Sequence, residues 1–122
     1  MEFPCIFLAD DDFGILESFK TVLEQESYRI FTATNGSELK TLLSKQVPDL
    51  ILMDYHLGED DGGKLTEEIK RNSQTAHIPV IIISASEKFK TIALRMGADD
   101  FIEKPIEIPL LLSKIEEHIT HE

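Results

Sequence analysis

The 122-residue sequence predicts an α/β fold, a doubly wound five-stranded parallel sheet with helices on both faces. Three observations carry this. Leu50-Ile51-Leu52-Met53 is apolar without alternation and runs straight into Asp54, as a strand covered on both faces requires. Cys5 to Ala9 and Val80 to Ile83 have the same character. Between and after such runs, apolar residues recur at three- and four-residue spacing, so strand and helix alternate five times over. Right-handed crossovers then leave few topologies, and the order 2-1-3-4-5 fits five units in this length.

The first strand, Cys5 to Ala9, ends in Asp10-Asp11-Asp12. The helix after it places Ile15, Leu16, Phe19, Val22 and Leu23 on one face. Acidic residues suit the positive end of a helix dipole, so capping accounts for Asp12. It does not account for three carboxylates, whose mutual repulsion is usually relieved by a cation. Arg29 to Thr34 is a short second strand, closed by the turn signal Asn35-Gly36. Ser37 is placed to cap the second helix, whose inner face is Leu39, Leu42, Leu43 and Val47, and Pro48 stops it.

The third strand runs from Leu50 to Asp54, and the loop Tyr55 to Gly63 leads into a polar helix from Lys64 to Asn72. Only Leu65 and Ile69 mark an inner face there. Ile78-Pro79 opens the fourth strand, which ends in Ser84-Ala85-Ser86. Phe89, Ile92, Ala93 and Met96 form the apolar stripe of a fourth helix, and Gly97 is its natural stop. Phe101-Ile102 is a short fifth strand between Asp99-Asp100 and Glu103-Lys104-Pro105. Pro109 suits the first turn of a last helix, with Leu111, Leu112, Ile115 and Ile119 facing in.

Length allows one domain, residues 1–122, with no output domain expected in this chain. Twelve Lys and Arg stand against 23 Asp and Glu, for a formal charge of −11. Such a surface argues against direct nucleic-acid binding, which needs basic residues for the phosphates. The lone Cys5 lies in an apolar strand and reads as a small core residue. With no signal peptide and no apolar run of membrane-spanning length, the expected compartment is the cytoplasm, with no membrane contact.

In an open α/β sheet, ligands sit beyond the carboxyl ends of the strands, at the point where the strand order reverses. For the order 2-1-3-4-5 that point lies between strands one and three, the strands ending at Asp10-Asp11 and at Asp54. Three carboxylates there make an oxygen-rich site of the kind Mg²⁺ prefers. Ser84 adds a hydroxyl at the end of strand four, and Lys104 adds an ammonium at the end of strand five. Acids, metal, hydroxyl and ammonium around one point are the parts that phosphoryl transfer needs, with a carboxylate as nucleophile. Taken singly, each has a plainer account. Asp54 could start a turn, Ser84 could cap a helix, and Lys104 could be a solvated surface lysine.

Together these pieces resemble the receiver domain of bacterial two-component response regulators, a flavodoxin-like fold, over essentially the whole chain. The matching segments are Leu8-Ala9-Asp10-Asp11-Asp12, Leu50-Ile51-Leu52-Met53-Asp54, Asp61-Gly62, Ile82-Ile83-Ser84-Ala85 and the run from Gly97 to Pro105. The resemblance implies a phosphoacceptor signalling domain rather than an enzyme. Asp54 would accept a phosphoryl group from a histidine kinase or a histidine phosphotransfer protein. Asp10, Asp11, Asp54 and the backbone carbonyl of His56 would hold Mg²⁺. Ser84 and Lys104 would bond the phosphoryl oxygens. Phe101 matches an aromatic switch position, at which the ring turns inward as Ser84 moves, remodelling the face of helix 4, strand 5 and helix 5 for a downstream partner. A homodimer would use the same region. Phe101 reads equally as a core strand residue.

Two departures stand out. The family usually has Pro four residues after the acceptor, where this chain has Gly58, which should loosen the loop. His56 and Ser86 occupy positions that vary in the family and tune the phosphoryl lifetime. His56 is expected to be exposed, with no role beyond its carbonyl. His77, His118 and His121 share no metal-ligand spacing and are expected to be solvated. Three rival readings each meet an obstacle in the sequence. An aspartyl-nucleophile phosphohydrolase would carry a second Asp two residues after the nucleophile, where this chain has His56. A flavin-binding module would want a hydroxyl-rich phosphate loop after strand one, where this chain has three aspartates. A receiver-like scaffold that is never phosphorylated would not need the intact set Asp10, Asp11, Asp54, Ser84 and Lys104.

Overall fold

A computed structural model describes residues 3–119. Five parallel strands form one sheet: β1 (Cys5–Ala9), β2 (Arg29–Ala33), β3 (Leu50–Asp54), β4 (Val80–Ser84) and β5 (Asp100–Glu103). Their spatial order is β2-β1-β3-β4-β5, the order expected from sequence. The helices are α1 (Phe13–Gln25), α2 (Gly36–Lys45), α3 (Gly62–Arg71), α4 (Lys90–Arg95, preceded by a 3₁₀ turn over Glu87–Phe89) and α5 (Ile108–Ile119).

Alternation along the buried strands divides the core in two. Ile6, Leu8, Leu50, Leu52, Ile81, Ile83 and Ile102 point to the face covered by α1 and α5, where Leu16, Leu23, Leu111 and Ile115 meet them. Cys5, Phe7, Ile51, Met53, Val80, Ile82 and Phe101 point to the other face, with Leu39 of α2, Leu65 and Ile69 of α3 and Ala93 of α4. Each buried Leu, Ile or Phe removes apolar area worth about 1.5–3 kcal/mol. A slip of one residue would turn one side-chain set onto the wrong layer, so the pairing of Phe7 with Ile51 and of Met53 with Ile82 is firmly specified.

Several local expectations need correction. Asn35, not Ser37, caps α2: its Oδ1 accepts the Glu38 N–H at 2.8 Å. Glu38 returns the bond, its Oε1 accepting from the N–H and hydroxyl of Thr34 at 2.6 and 2.7 Å. Val47 lies beyond the end of α2 and is 56% exposed rather than inward. Ile92 is also outward, 41% exposed, because α4 has only six residues and Ala93 holds its inner position. The loop after β3 is a hairpin turned at Gly58. His56–Leu57 pairs antiparallel with Asp60–Asp61, leaving Gly58 and Glu59 as a two-residue turn. Gly58 takes φ +64°, the conformation such a turn demands of its first residue. Asp61 then caps α3, accepting from Gly63 and Lys64 N–H, so the helix begins two residues earlier than expected.

Candidate functional site

The carboxyl ends of β1, β3, β4 and β5 meet at one crevice, held there by backbone bonds. Asp10 N–H donates to the Ala33 carbonyl at 3.1 Å, and Tyr55 N–H to that of Ile83 at 2.8 Å. Lys104 N–H donates to the Ser84 carbonyl at 2.8 Å, which sets those two residues side by side. Gly62 closes the acceptor loop: its N–H reaches the Tyr55 carbonyl at 2.6 Å. A Cβ on Gly62 would fall 2.7 Å from the Asp54 carbonyl oxygen, so only glycine admits this approach.

Asp54 is 7% exposed, and both its oxygens are engaged. Oδ1 accepts the His56 N–H at 3.0 Å, and Oδ2 accepts from Lys104 Nζ at 2.6 Å. The same Nζ lies 3.6 Å from Asp10 Oδ2. Asp10 is 3% exposed, and its Oδ1 accepts the Asp12 N–H at 2.9 Å. Burial, and then the Asp54 charge, push the Asp10 carboxyl up to about 6, against the Asp12 N–H and Lys104, which favour its ionised form. Burial alone would lower the Lys104 ammonium, but its bond to Asp54 and the charges of Asp54 and Asp10 outweigh this and raise it. One ammonium therefore faces two buried carboxylates, with Asp11 nearby on the surface.

The structure thus brings together Asp10, Asp54, Ser84 and Lys104, with Asp11 at the crevice mouth through its bond to Gly58. Asp12 serves only as the α1 cap, accepting from Gly14 and Ile15 N–H. Ser84 is not a helix cap: it ends β4, is buried, and accepts the Ser86 N–H on its Oγ at 3.1 Å. Ser86 takes the capping role, accepting from Lys88. Phe101 is 7% exposed and packs in the core under α3 and α4. His56 is exposed, as expected, but its ring lies edge-on to Phe89 at 4.8 Å, and Phe89 stacks on Tyr55 at 4.5 Å. This ring cluster joins the acceptor loop to the turn before α4. Only tertiary packing brings the three rings together, so no sequence signal marks it.

His77 is exposed, and His121 lies outside the described residues. His118 is not simply solvated: it is half-buried, with Nε2 3.0 Å from Asp100 Oδ2, beside Lys114. The crevice donors are all oxygens, and the raised Asp10 carboxyl would gain from a nearby cation. A hard divalent ion such as Mg²⁺ fits that chemistry.

A doubly wound sheet with an acid-lined crevice, a buried carboxylate at its centre and a lysine beside it defines an aspartate-centred α/β domain. The chain belongs to the response regulator receiver domain family, whose model matches residues 6–116. Among curated relatives it is 40% identical over 102 residues to the response regulator GtcR of Aneurinibacillus migulanus, covering 82% of this chain and 41% of that protein. Among solved structures, the receiver domain of a signal transduction histidine kinase from Syntrophus aciditrophicus superposes with TM-score 0.89 at 31% identity, covering 96% and 90% of the two chains. The receiver domain of sensor histidine kinase PA1611 from Pseudomonas aeruginosa, a structure with a magnesium ion in its active-site cleft, shares the fold at TM-score 0.89 and 24% identity, covering 98% and 99%. The chain spans only 22% to 51% of the length of the first curated relatives it matches. No helix among the described residues is long and apolar enough to cross a membrane.

Proposed function

We propose that the chain accepts a phosphoryl group on Asp54 from a phosphohistidine of a histidine kinase or phosphotransfer protein. The observation that carries this reading is Asp54 itself, a buried carboxylate with Oδ2 on Lys104 Nζ at 2.6 Å and Oδ1 on the His56 N–H at 3.0 Å. An Asp54 oxygen attacks phosphorus, the N–P bond breaks, and its electron pair returns to the donor imidazole, which takes up a proton. Lys104 is freed from the carboxylate as that oxygen becomes the bridging oxygen of an acyl phosphate and can then pair with a phosphoryl oxygen. The Ser84 hydroxyl, at the adjoining strand end, can donate to another.

Asp10, Asp11, Asp54 and the His56 carbonyl would hold Mg²⁺, which supplies positive charge to the equatorial phosphoryl oxygens. The PA1611 receiver, of the same fold, holds a magnesium ion in its active-site cleft. Phosphorylation adds charge and acceptor oxygens that Ser84 meets only as the loop after β4 moves, while the Phe101 ring on β5 is already buried and has no inward turn left to make. Shifting such a balance from mostly one state to mostly the other needs roughly 5 kcal/mol of differential binding. Two hydrogen bonds to a charged group, at about 1.5–3 kcal/mol each, are of that size. The output is contact with a downstream protein through the α4-β5-α5 face, where Ile92, Leu94 and Leu110 are 41%, 42% and 46% exposed.

Intact mass after incubation with acetyl phosphate tests the reading. A gain of one phosphoryl group that requires Mg²⁺ and is absent in Asp54→Asn is expected. A labelled Asp54→Asn protein would overturn the assignment.

A further inference from the structure

Gly58 makes one contact beyond the hairpin it turns. Its N–H donates to Asp11 Oδ2 at 3.2 Å, across 47 residues of sequence. Asp11 is exposed, and without a partner its carboxylate would rotate among several rotamers. The donor, by contrast, sits on a fixed point. His56 stands opposite Asp61 and Leu57 opposite Asp60, so the chain must reverse within Gly58 and Glu59. At φ +64° that reversal presents the Gly58 N–H to the crevice side. The far arm is fastened as well, since Asp60 Oδ2 accepts the Gly36 N–H at the start of α2 at 2.8 Å.

We propose that Gly58 is a positioning residue for the cation site. Its N–H holds one oxygen of Asp11 and leaves the other for the ion. The same hairpin carries His56, whose carbonyl is the backbone ligand of the proposed set, so a single hydrogen bond ties together the two loops that grip the cation. This rests on the Mg²⁺ site set out above. Two properties are needed at position 58: a free N–H and tolerance of positive φ. Proline lacks both, whereas asparagine keeps the N–H and meets the positive φ with some strain, which the thermal unfolding of Gly58→Asn reads separately from its Mg²⁺ Kd.

The test is a Mg²⁺ titration of the whole chain, wild type, Gly58→Asn and Gly58→Pro, followed by amide NMR and calorimetry, with thermal unfolding of each metal-free protein alongside. Gly58→Pro is expected to raise the Mg²⁺ Kd about three- to tenfold, the worth of one ordinary hydrogen bond, with Gly58→Asn within about twofold of wild type. The wild-type Gly58 amide resonance should shift as the metal binds. A purely structural role would lower the unfolding temperature of Gly58→Pro and leave its Kd unchanged, which would overturn the proposal. So would Gly58→Asn binding as weakly as Gly58→Pro. Absence of binding by the wild type would remove the cation site itself; equal binding by wild type and Gly58→Pro would remove the positioning role alone.

Discussion

The two ends of the sheet treat their carboxylates in opposite ways. At the amino end each acid is matched. Asp49 accepts the Cys5 N–H at 2.8 Å. Asp99 Oδ2 receives both Lys70 Nζ and the Val80 N–H at 2.8 Å. Asp100 is met by Phe101 N–H, Lys114 and His118, whose bonds outweigh burial and hold its carboxyl below the usual range. At the carboxyl end Asp10 and Asp54 share Lys104, and the Asp10 carboxyl is pushed up to about 6. Balanced charge at one end does structural service. Charge left short of balance at the other is a standing preference for a cation and for anything that changes the charge on Asp54.

If that contrast is real, substitutions at the two ends should differ in sign. The largest loss is expected for Lys70→Met, since Lys70 Nζ also donates to the carbonyls of Ala76 at 3.3 Å and Ile78 at 2.7 Å. Urea unfolding should show about 3 kcal/mol of destabilisation, because the part-buried carbonyls of Ala76 and Ile78 and the Asp99 carboxylate lose one donor together. Asp100→Ala removes the acceptor shared by Lys114 and His118 and should cost about 2 kcal/mol by the same measurement. Asp10→Asn should go the other way, stabilising the metal-free protein by about 1 kcal/mol, because a disfavoured buried charge is gone. A destabilised Asp10→Asn would break the comparison.

The pH dependence carries a fixed sign. Asp10 titrates higher folded than unfolded, so the native state holds the extra proton between about 4 and about 6 and stability falls as pH rises through that window. Asp100, held low, contributes stability above the ordinary carboxylate pKa that is lost as pH falls through its folded value. Thermal melts of wild type and Asp10→Asn between pH 4 and 7 should show the downward slope in the first only.

The matched end was largely illegible in the sequence, and for a physical reason. Asp100 and His118 lie 18 residues apart on a strand and a helix, and only packing of α5 on the sheet brings them together. The acid end was legible because carboxylates at the tips of apolar strands converge once the strand order is known. Buried strands read well: Cys5–Ala9 and Leu50–Asp54 coincide with their apolar runs. The hairpin after β3 did not, since Asp60 and Asp61 have little strand propensity and the pairing rests on the reversal at Gly58. Ile92 misled because helical spacing does not say how short a helix is, and α4 ends before a second inward turn can form.

The unbalanced charge at Asp10 is read directly by one titration. The Asp10 carboxyl carbon, followed by NMR in the metal-free protein, should titrate at about 6 and move lower when Mg²⁺ is added. A midpoint of about 4, unmoved by Mg²⁺, would mean that the crevice is already in balance and would contradict the account.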